Sequence, residues 1–269
     1  MRVGLVTLCS PRGERDRNLE KILEFSKRAA EKGCQLVLFP EYSVNGSWVT
    51  YDREADLADL HRQAEPIPGP TTQIIAKAAR NLGLAFGVGI AEKGLTRKPF
   101  NSYAIITGDG VIHVQRKLQP TDSEIAFYRG GGDGLETFEL GGVPFGVTIC
   151  ADNESPAVHD RLCEKGARVI IEPHYDCVKK FQNVGNTWEE LIEFNRVGTL
   201  RRRAEELSRR LGVISMYIDA KDPRESISDR MDWPHYVNGK SAAFGPDGEL
   251  LAENAGNEES LLVVDVELD

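Results

Sequence analysis

The chain lacks most features that mark secreted, membrane-spanning or nucleic-acid-binding proteins. Its five cysteines, at 9, 34, 150, 163 and 177, are odd in number and form no C-x-x-C pair, so neither a disulfide framework nor a zinc knuckle is predicted. No apolar run reaches the length of a membrane span. Acidic side chains outnumber basic ones by 42 to 33, and the net charge of −9 argues against nucleic acid as a partner.

The composition does provide enough apolar material for a sizeable core. The chain has 269 residues, of which 41% are hydrophobic, so it is expected to fold without disulfides or metals. The N-terminal segment MRVGLVTLCS carries a single arginine and is predicted to be a strand and not a signal peptide. We therefore expect a cytoplasmic protein in which residues 1–269 form a single domain.

The chain alternates between short β-rich runs and helical patterns, which is typical of an α/β domain. Strands are predicted at 3–8, 35–39, 84–90, 103–107, 111–115, 143–149, 168–171, 213–218, 241–244 and 261–268. Helices are predicted around residues 19–30, from a cap at Thr71 or Thr72 to Leu82, from Pro156 to about Lys165, and from about Thr187 to Leu211. The longest irregular stretches, which are expected to carry binding groups, are 43–65, 120–136, 172–186 and 219–239.

Three reactive side chains each follow a β-rich run. Glu41 follows the run QLVLFP, Lys117 ends a hairpin strand, and Cys150 follows VPFGVTI in the turn before a helix. At such a turn the backbone N–H groups and the helix dipole favour a thiolate. Taken singly, each residue has an ordinary interpretation as a packed cysteine, a solvated lysine or a loop carboxylate.

The surroundings of these residues resemble the nitrilase superfamily of carbon–nitrogen hydrolases over essentially the whole chain. LVLFPEYSVNG is similar to the family's glutamate motif, NSYAIITGDGVIHVQRK to its hairpin ending in the catalytic lysine, and GVPFGVTICADNESP to its nucleophile motif. The other similar segments are EPIPGPTTQIIAKAARNLGLAFGVGIAEK, GARVIIEP, WEELIEFNRVGTLRRRAEE and NGKSAAFGPDGELLAE. All seven stand in the order that the family keeps.

This resemblance implies an α/β fold of the nitrilase type, a four-layer α-β-β-α sandwich. It also implies a Glu–Lys–Cys triad in which Cys150 is the nucleophile and Glu41 the base. A free thiol is mostly protonated at neutral pH, so a carboxylate within reach is needed to accept its proton. Lys117, assisted by the backbone N–H of Ala151, is expected to stabilise the negative charge that develops on the carbonyl oxygen.

The family also carries a second glutamate that orients the lysine and the attacking water. Glu124, in TDSEIAFYRGGGD, is the best match to it. The commoner family pattern has a histidine two residues after the lysine, where this chain has Gln119. Because the loop departs from the pattern there, Asp122 stays open as the alternative.

Substrate-binding candidates follow the base, the nucleophile, or the strand after the nucleophile helix, where members of the family often contact substrate. They are Tyr42, Trp48, Ala151, Glu172, His174 and Tyr175. His174 is also considered as the base of a cysteine–histidine pair, the arrangement of cysteine proteases. Family members that act on nitriles usually have Trp-Glu after the nucleophile, whereas many amidases have an aromatic residue and then aspartate. Asp152 therefore favours an amide or N-carbamoyl substrate, and Ala151 leaves a gap in the usual pocket wall.

The expected reaction is hydrolysis of a non-peptide C–N bond through a thioester, with release of ammonia or an amine. The alternatives are a nitrilase that uses the same residues and a catalytically silent binding homologue, which would have lost a triad member. The expected partners are a small amide, carbamoyl or nitrile substrate and a second copy of the chain in a homodimer or larger assembly, with no membrane contact. No metal or cofactor is expected, since the histidines form no cluster at ligand spacing.

Overall fold

A computed structural model describes residues 1–47, 53–179, 199–221, 235–237, 239–254 and 258–267. The strands are β1 (Arg2–Thr7), β2 (Leu36–Leu38), β3 (Ala85–Glu92), β4 (Phe100–Thr107), β5 (Gly110–Arg116), β6 (Phe138–Leu140), β7 (Val143–Val147), β8 (Val169–His174), β9 (Cys177–Lys179), β10 (Ile214–Asp219), β11 (His235–Val237), β12 (Ala242–Phe244), β13 (Leu250–Glu253) and β14 (Ser260–Asp265). The helices are α1 (Arg15–Glu31), α2 (Arg53–Gln63), α3 (Pro70–Leu82), α4 (Pro156–Glu164) and α5 (Thr199–Leu211), with a short 3-10 helix at Cys150–Glu154.

Twelve of these strands form two six-stranded mixed sheets. The first sheet has the order β14-β1-β2-β3-β4-β5, and its strands β1, β2 and β3 run parallel. The second has the order β13-β12-β10-β8-β7-β6, and its strands β10, β8 and β7 run parallel. The strands β9 and β11 pair with each other in an antiparallel ribbon.

The two sheets pack face to face, because alternate strand residues point into the space between them. Leu5 and Leu38 of the first sheet belong to the same buried apolar cluster as Val147, Ile171 and Met216 of the second. This shared layer is the core to which the segments carrying Glu41, Lys117 and Cys150 are attached.

Helices cover the outer face of each sheet. Ile22 of α1 and Ile75 of α3 pack with Phe86 on the first sheet. Leu162 of α4 and Leu207 of α5 lie in one cluster with Ile170 of β8 in the second sheet. The predicted four-layer α-β-β-α sandwich is therefore confirmed. Within the described ranges, no helix combines enough length and apolar character to cross a bilayer.

Several boundaries differ from the sequence predictions. The helix α3 begins at Pro70, earlier than predicted, because Gly69 is its cap and donates its N–H to the Thr72 hydroxyl at 2.8 Å. The helix α2 lies in a stretch that was predicted to be irregular, and β8 extends to His174. Of the long helix predicted from Thr187, the part before 199 lies outside the described residues.

Gly89 of β3 allows the backbone of Glu41 and Tyr42 to pass close to the strand. A Cβ at Gly89 of β3 would lie 2.5 Å from the Tyr42 nitrogen and 2.9 Å from the Glu41 carbonyl carbon, and both atoms belong to rigid backbone. We expect Gly89→Ala to lower the free energy of unfolding by about 1–3 kcal/mol through overpacking, as measured by urea titration. The control Gly134→Ala, whose Cβ would meet nothing closer than the Gly131 oxygen at 3.9 Å, is expected to change it by less than about 0.5 kcal/mol. Equal stability of the two variants would contradict this account of the packing.

Candidate active site

Glu41 stands at the edge where the carboxyl ends of strands from both sheets meet. It follows β2, and the residue is only 2% exposed. Its Oε1 accepts hydrogen bonds from Lys117 Nζ at 2.9 Å and from Asn101 Nδ2 at 2.7 Å. Its Oε2 accepts the N–H of Tyr175, the residue after β8, at 3.0 Å. The carboxylate is therefore buried, fully oriented and shared between the two sheets.

Lys117 is held between two carboxylates. Its Nζ lies 2.9 Å from Glu41 Oε1 and 2.8 Å from Glu124 Oε2, and all three side chains are buried. Glu124 Oε2 also accepts the N–H of Thr121 at 2.8 Å. The structure thus brings Glu124 to the lysine and leaves Asp122, the other sequence candidate, exposed to solvent.

Cys150 lies in a strained turn at the end of the β7 segment. Its φ is +49°, a left-handed conformation that a residue with a side chain adopts only when its surroundings impose it. The Asp152 carboxylate accepts the N–H of Leu118 at 3.1 Å and that of Ile149 at 3.3 Å. Asp152 therefore ties the cysteine turn to the residue that follows Lys117, and the thiol lies beside the carboxylate–lysine group.

The charges of this group set the protonation of the thiol. Burial raises the pKa of Cys150 well above its usual value, the Glu41 carboxylate raises it further, and Lys117 opposes both. The thiol is therefore protonated at rest, although the sequence indicated that the turn favours a thiolate. Burial and the neighbouring carboxylate outweigh the turn. Attack by this sulfur thus requires a base.

The two carboxylates differ in basicity. Burial raises the pKa of Glu41, and Lys117 offsets only part of that rise. Burial also acts on Glu124, but Lys117, Tyr42 and the Thr121 N–H outweigh it and lower the pKa of Glu124. When the environment separates two neighbouring carboxyl groups in this way, the more basic one suits proton transfer and the other stays ionised.

The lysine remains a cation in this setting. Burial alone would lower the pKa of Lys117, but Cys150 when it is ionised and the carboxylates of Glu41 and Glu124 raise it well above its usual value. A permanently charged ammonium beside the sulfur can stabilise negative charge that develops on a bound carbonyl oxygen.

Three of the predicted substrate residues lie next to this group or outside the described part. Tyr42 is buried with a φ of +58°, and its hydroxyl hydrogen-bonds to Glu124 Oε1. Its ring lies 5.7 Å from that of Tyr128 and 5.8 Å from that of Tyr175. Ala151 follows the cysteine in the 3-10 helix and is partly exposed. Trp48 lies outside the described residues.

Glu172 and His174 are fully buried on β8. Glu172 accepts a hydrogen bond from the Ser215 hydroxyl, and burial raises its pKa to about 7. His174 Nε2 shares a 3.1 Å hydrogen bond with Asn153 Nδ2, and its ring lies 4.4 Å from that of Tyr217. Burial lowers the pKa of His174 well below its usual value, so its ring is neutral. Direct contact of Glu172 or His174 with substrate stays a prediction.

Asn101 is a residue of the site that sequence reasoning missed. Its Nδ2 contacts Glu41, and its backbone carbonyl accepts the Lys117 N–H at 2.8 Å. A signal was present, because Ser102 and Arg116 pair across the hairpin that ends at the lysine. Counting back along that hairpin places residue 101 opposite residue 117.

The described residues include no group of three or more His, Cys, Asp or Glu side chains arranged to hold a metal ion.

The sequence of the chain is similar to those of known proteins. The profile of the carbon–nitrogen hydrolase family matches residues 2–220. An aliphatic nitrilase of Sinorhizobium fredii (strain HH103) is 27% identical over 269 residues, covering 93% of this chain and 81% of the relative. An omega-amidase of Xenopus tropicalis is 26% identical over 261 residues, covering 94% of this chain and 83% of the relative.

A solved structure with a similar fold is a mutant amidase from Nesterenkonia sp. AN1, with acrylamide added at its active-site cysteine. It matches with a TM-score of 0.79 and 21% sequence identity, over 99% of this chain and 93% of that chain. At this identity the likeness establishes the fold.

Proposed function

The chain belongs to the carbon–nitrogen hydrolase family, and from that premise we propose that it hydrolyses a non-peptide C–N bond of a small amide or N-carbamoyl compound. The reaction proceeds through a thioester at Cys150. The observation that carries the proposal is the buried contact of Lys117 Nζ with Glu41 at 2.9 Å and with Glu124 at 2.8 Å, beside the cysteine turn. A base, a permanent cation and a protonated thiol are the groups that acyl transfer to sulfur needs.

In the first step Glu41 accepts the proton of the Cys150 thiol while the sulfur attacks the carbonyl carbon of the substrate. The new C–S bond pushes an electron pair onto the carbonyl oxygen. The Lys117 ammonium and the backbone N–H of Ala151 stabilise that oxyanion, each contributing about 3–4 kcal/mol if it acts as donors in known oxyanion holes do.

In the second step the tetrahedral intermediate collapses and the C–N bond breaks. Glu41, now protonated, gives its proton to the departing nitrogen, so ammonia or an amine leaves and a thioester remains on Cys150. Glu41 then takes a proton from water, whose oxygen attacks the thioester. The C–S bond breaks, the acid is released and the thiol regains its proton.

Glu124 is proposed to keep the lysine charged and in place. Its low pKa leaves it ionised throughout the cycle, so Lys117 retains one carboxylate partner when Glu41 is protonated. The Tyr42 hydroxyl and the Thr121 N–H hold this carboxylate in turn. Ala151 adjoins the nucleophile, and the backbone N–H of Tyr175 binds the base. Both residues are proposed to border the substrate, as predicted from the sequence.

A nitrile is the second candidate substrate, and the similarity to an aliphatic nitrilase favours it. Addition of the thiol to a nitrile carbon uses the same residues, but the charge develops on nitrogen and water must add twice. Asp152 favours the amide in the sequence, yet its carboxylate binds the backbone of Leu118 and Ile149. Its influence on substrate preference therefore acts through the shape of the cysteine turn.

The test compares propionamide, propionitrile and N-carbamoyl compounds of similar size, with ammonia release as the readout and acid-quenched mass spectrometry of the Cys150 peptide. We expect faster release from an amide or carbamoyl compound than from the nitrile, with an acyl adduct on Cys150. Cys150→Ser is expected to lower turnover by about 1,000-fold or more.

The matched control is Cys163→Ser, because Cys163 is also a free, partly exposed thiol but lies on α4, and it is expected to keep turnover. Ammonia release that survives in Cys150→Ser, or an adduct on another residue, would refute the thioester proposal. A faster reaction with the nitrile would assign the nitrilase function instead.

The molecular setting is part of the same proposal. We propose that residues 1–269 act as one domain, in the cytoplasm, as a homodimer or larger assembly, which is how the family commonly occurs. The free thiols of Cys34, Cys150 and Cys163 support a reducing compartment.

A further inference from the structure

One amide side chain reaches both buried carboxylates of the site. Asn101 Nδ2 lies 2.7 Å from Glu41 Oε1 and 3.2 Å from Glu124 Oε1, and the residue is 2% exposed. Its backbone carbonyl accepts the N–H of Lys117 at 2.8 Å. Asn101 therefore contacts the base, the second carboxylate and the backbone of the cation between them.

The sheet explains how one residue makes all of these contacts. Asn101 stands near the start of β4, which lies between β3 and β5 and runs antiparallel to both. The start of β4 therefore lies at the edge where β3 and β5 end. Asn101 shares a strand face with Tyr103, which belongs to the cluster between the sheets, whereas Ser102 has the opposite orientation and binds Glu92.

We propose that Asn101 is a positioning residue for the base, whose carboxamide holds Glu41 and Glu124 around the Lys117 ammonium in the orientation that receives the thiol proton. This inference rests on the proposed hydrolase function and deepens it. In the described part of the chain, Lys117 and Asn101 are the two side chains that donate to both carboxylates.

The charge balance of the site explains why a neutral donor suits this position. Two carboxylates share one ammonium, so a buried surplus of negative charge must be stabilised by hydrogen bonds. A second cation would stabilise it too, but would also make Glu41 a weaker base. Burial raises the pKa of Glu41, and the hydrogen bond from Asn101 is one of the contacts that lower it. Without that bond, Glu41 ionises at higher pH.

The contacts of the carboxamide lie at its Nδ2 end. Among the described residues, the buried Asn101 Oδ1 has no hydrogen-bond partner, which costs stability. In that part of the chain, the hydrogen bonds of this side chain are those that its Nδ2 donates to Glu41 and Glu124.

The test replaces Asn101 by leucine, which keeps much of the volume and removes the donor. Two rates are measured against pH: alkylation of Cys150 by iodoacetamide, followed by peptide mass spectrometry, and ammonia release from an amide substrate. At low pH both rates are expected to increase with pH as the Glu41–Cys150 pair loses its first proton, and we call this rising part of each profile its acid limb. We expect the acid limb of both profiles to move to higher pH in Asn101→Leu. The rate at neutral pH is expected to fall about 10- to 100-fold, the loss typical of one hydrogen bond to a charged group.

Two further variants separate positioning from folding. Ser102→Ala breaks a buried hydrogen bond on the same strand but on the opposite face, so it is expected to leave the acid limb in place. Asn101→Asp keeps the size of the side chain and adds a third carboxyl group. It is expected to move the acid limb upward as well, even if Asn101→Leu does not fold.

The two readouts distinguish this inference from the proposed function. The positioning role would be overturned if the acid limb of the alkylation profile were unchanged in folded Asn101→Leu or Asn101→Asp. This holds even if the wild type hydrolyses amides normally. A shifted alkylation profile in a protein that hydrolyses no amide or carbamoyl compound would support the positioning role and refute the function.

Discussion

Glu41→Gln lowers the rate of thioester formation by about 100- to 10,000-fold, the usual contribution of a general base. The substitution keeps the shape of the side chain and its place beside Lys117 and Tyr175. It removes the group that accepts the thiol proton, and the raised pKa of Cys150 leaves little thiolate to react unaided. The measurement is the single-turnover rate of acyl-adduct formation on Cys150.

The pH profile of the wild type provides a second check on Glu41. Because burial raises the pKa of Glu41, kcat/KM is expected to rise with pH through a limb above the ordinary carboxyl range. In Glu41→Gln that limb disappears. The control is Glu136→Gln, since Glu136 is an exposed partner of Lys165, and it keeps both the rate and the limb. If Glu41→Gln formed the adduct normally while His174→Gln did not, the base would be His174.

The sequence was sufficient to predict the residues that end strands. Glu41, Lys117 and Cys150 each follow a β-rich run, and the carboxyl ends of neighbouring strands meet at one edge of a sheet, so their convergence could be expected. The four-layer fold also followed, because its apolar runs and helical patterns occur in the family's order. Local patterns of this kind are visible along the chain.

The contacts that complete the site are not visible in that way. The Tyr175 N–H binds Glu41 across 134 positions, and Asp152 binds Leu118 across 34. Such contacts depend on how two sheets pack, and no periodicity or spacing records it. For the same reason the sequence does not show that the Tyr42 hydroxyl binds Glu124, and contact of Tyr42 with the substrate stays a prediction.

Lys117→Met is expected to damage both stability and catalysis. The side chain is 2% exposed and is the cation that two buried carboxylates share, so its loss leaves Glu41 and Glu124 without a counter-charge. Removing one partner of a buried ion pair costs about 3–5 kcal/mol. Turnover is expected to fall about 100- to 1,000-fold because the developing oxyanion loses its cation. Urea unfolding and single-turnover kinetics measure the two effects.

The direction in which the stability of Lys117→Met changes with pH identifies why this variant is less stable. In Lys117→Met the pKa values of Glu41 and Glu124 rise above those of the unfolded chain, because burial is no longer offset. At pH values between the unfolded-state and folded-state pKa of these carboxyl groups, the folded variant binds more protons than the unfolded chain. The loss of unfolding free energy relative to the wild type therefore grows as pH rises through that range. The deficit is expected to be smaller at about pH 5 than at about pH 8.

Two variants show whether the buried charge is responsible. Lys117→Met combined with Glu124→Gln removes one unpaired carboxylate, so it is expected to recover part of the stability at the higher pH without recovering turnover. Lys165→Met breaks the ion pair of Lys165 with Glu136, in which the two side chains are 40% and 72% exposed. It is expected to lower the free energy of unfolding by less than about 1 kcal/mol. A Lys117→Met deficit as small as that of Lys165→Met, or one that shrinks as pH rises, would contradict the assignment of Lys117 as the cation that makes two buried carboxylates tolerable.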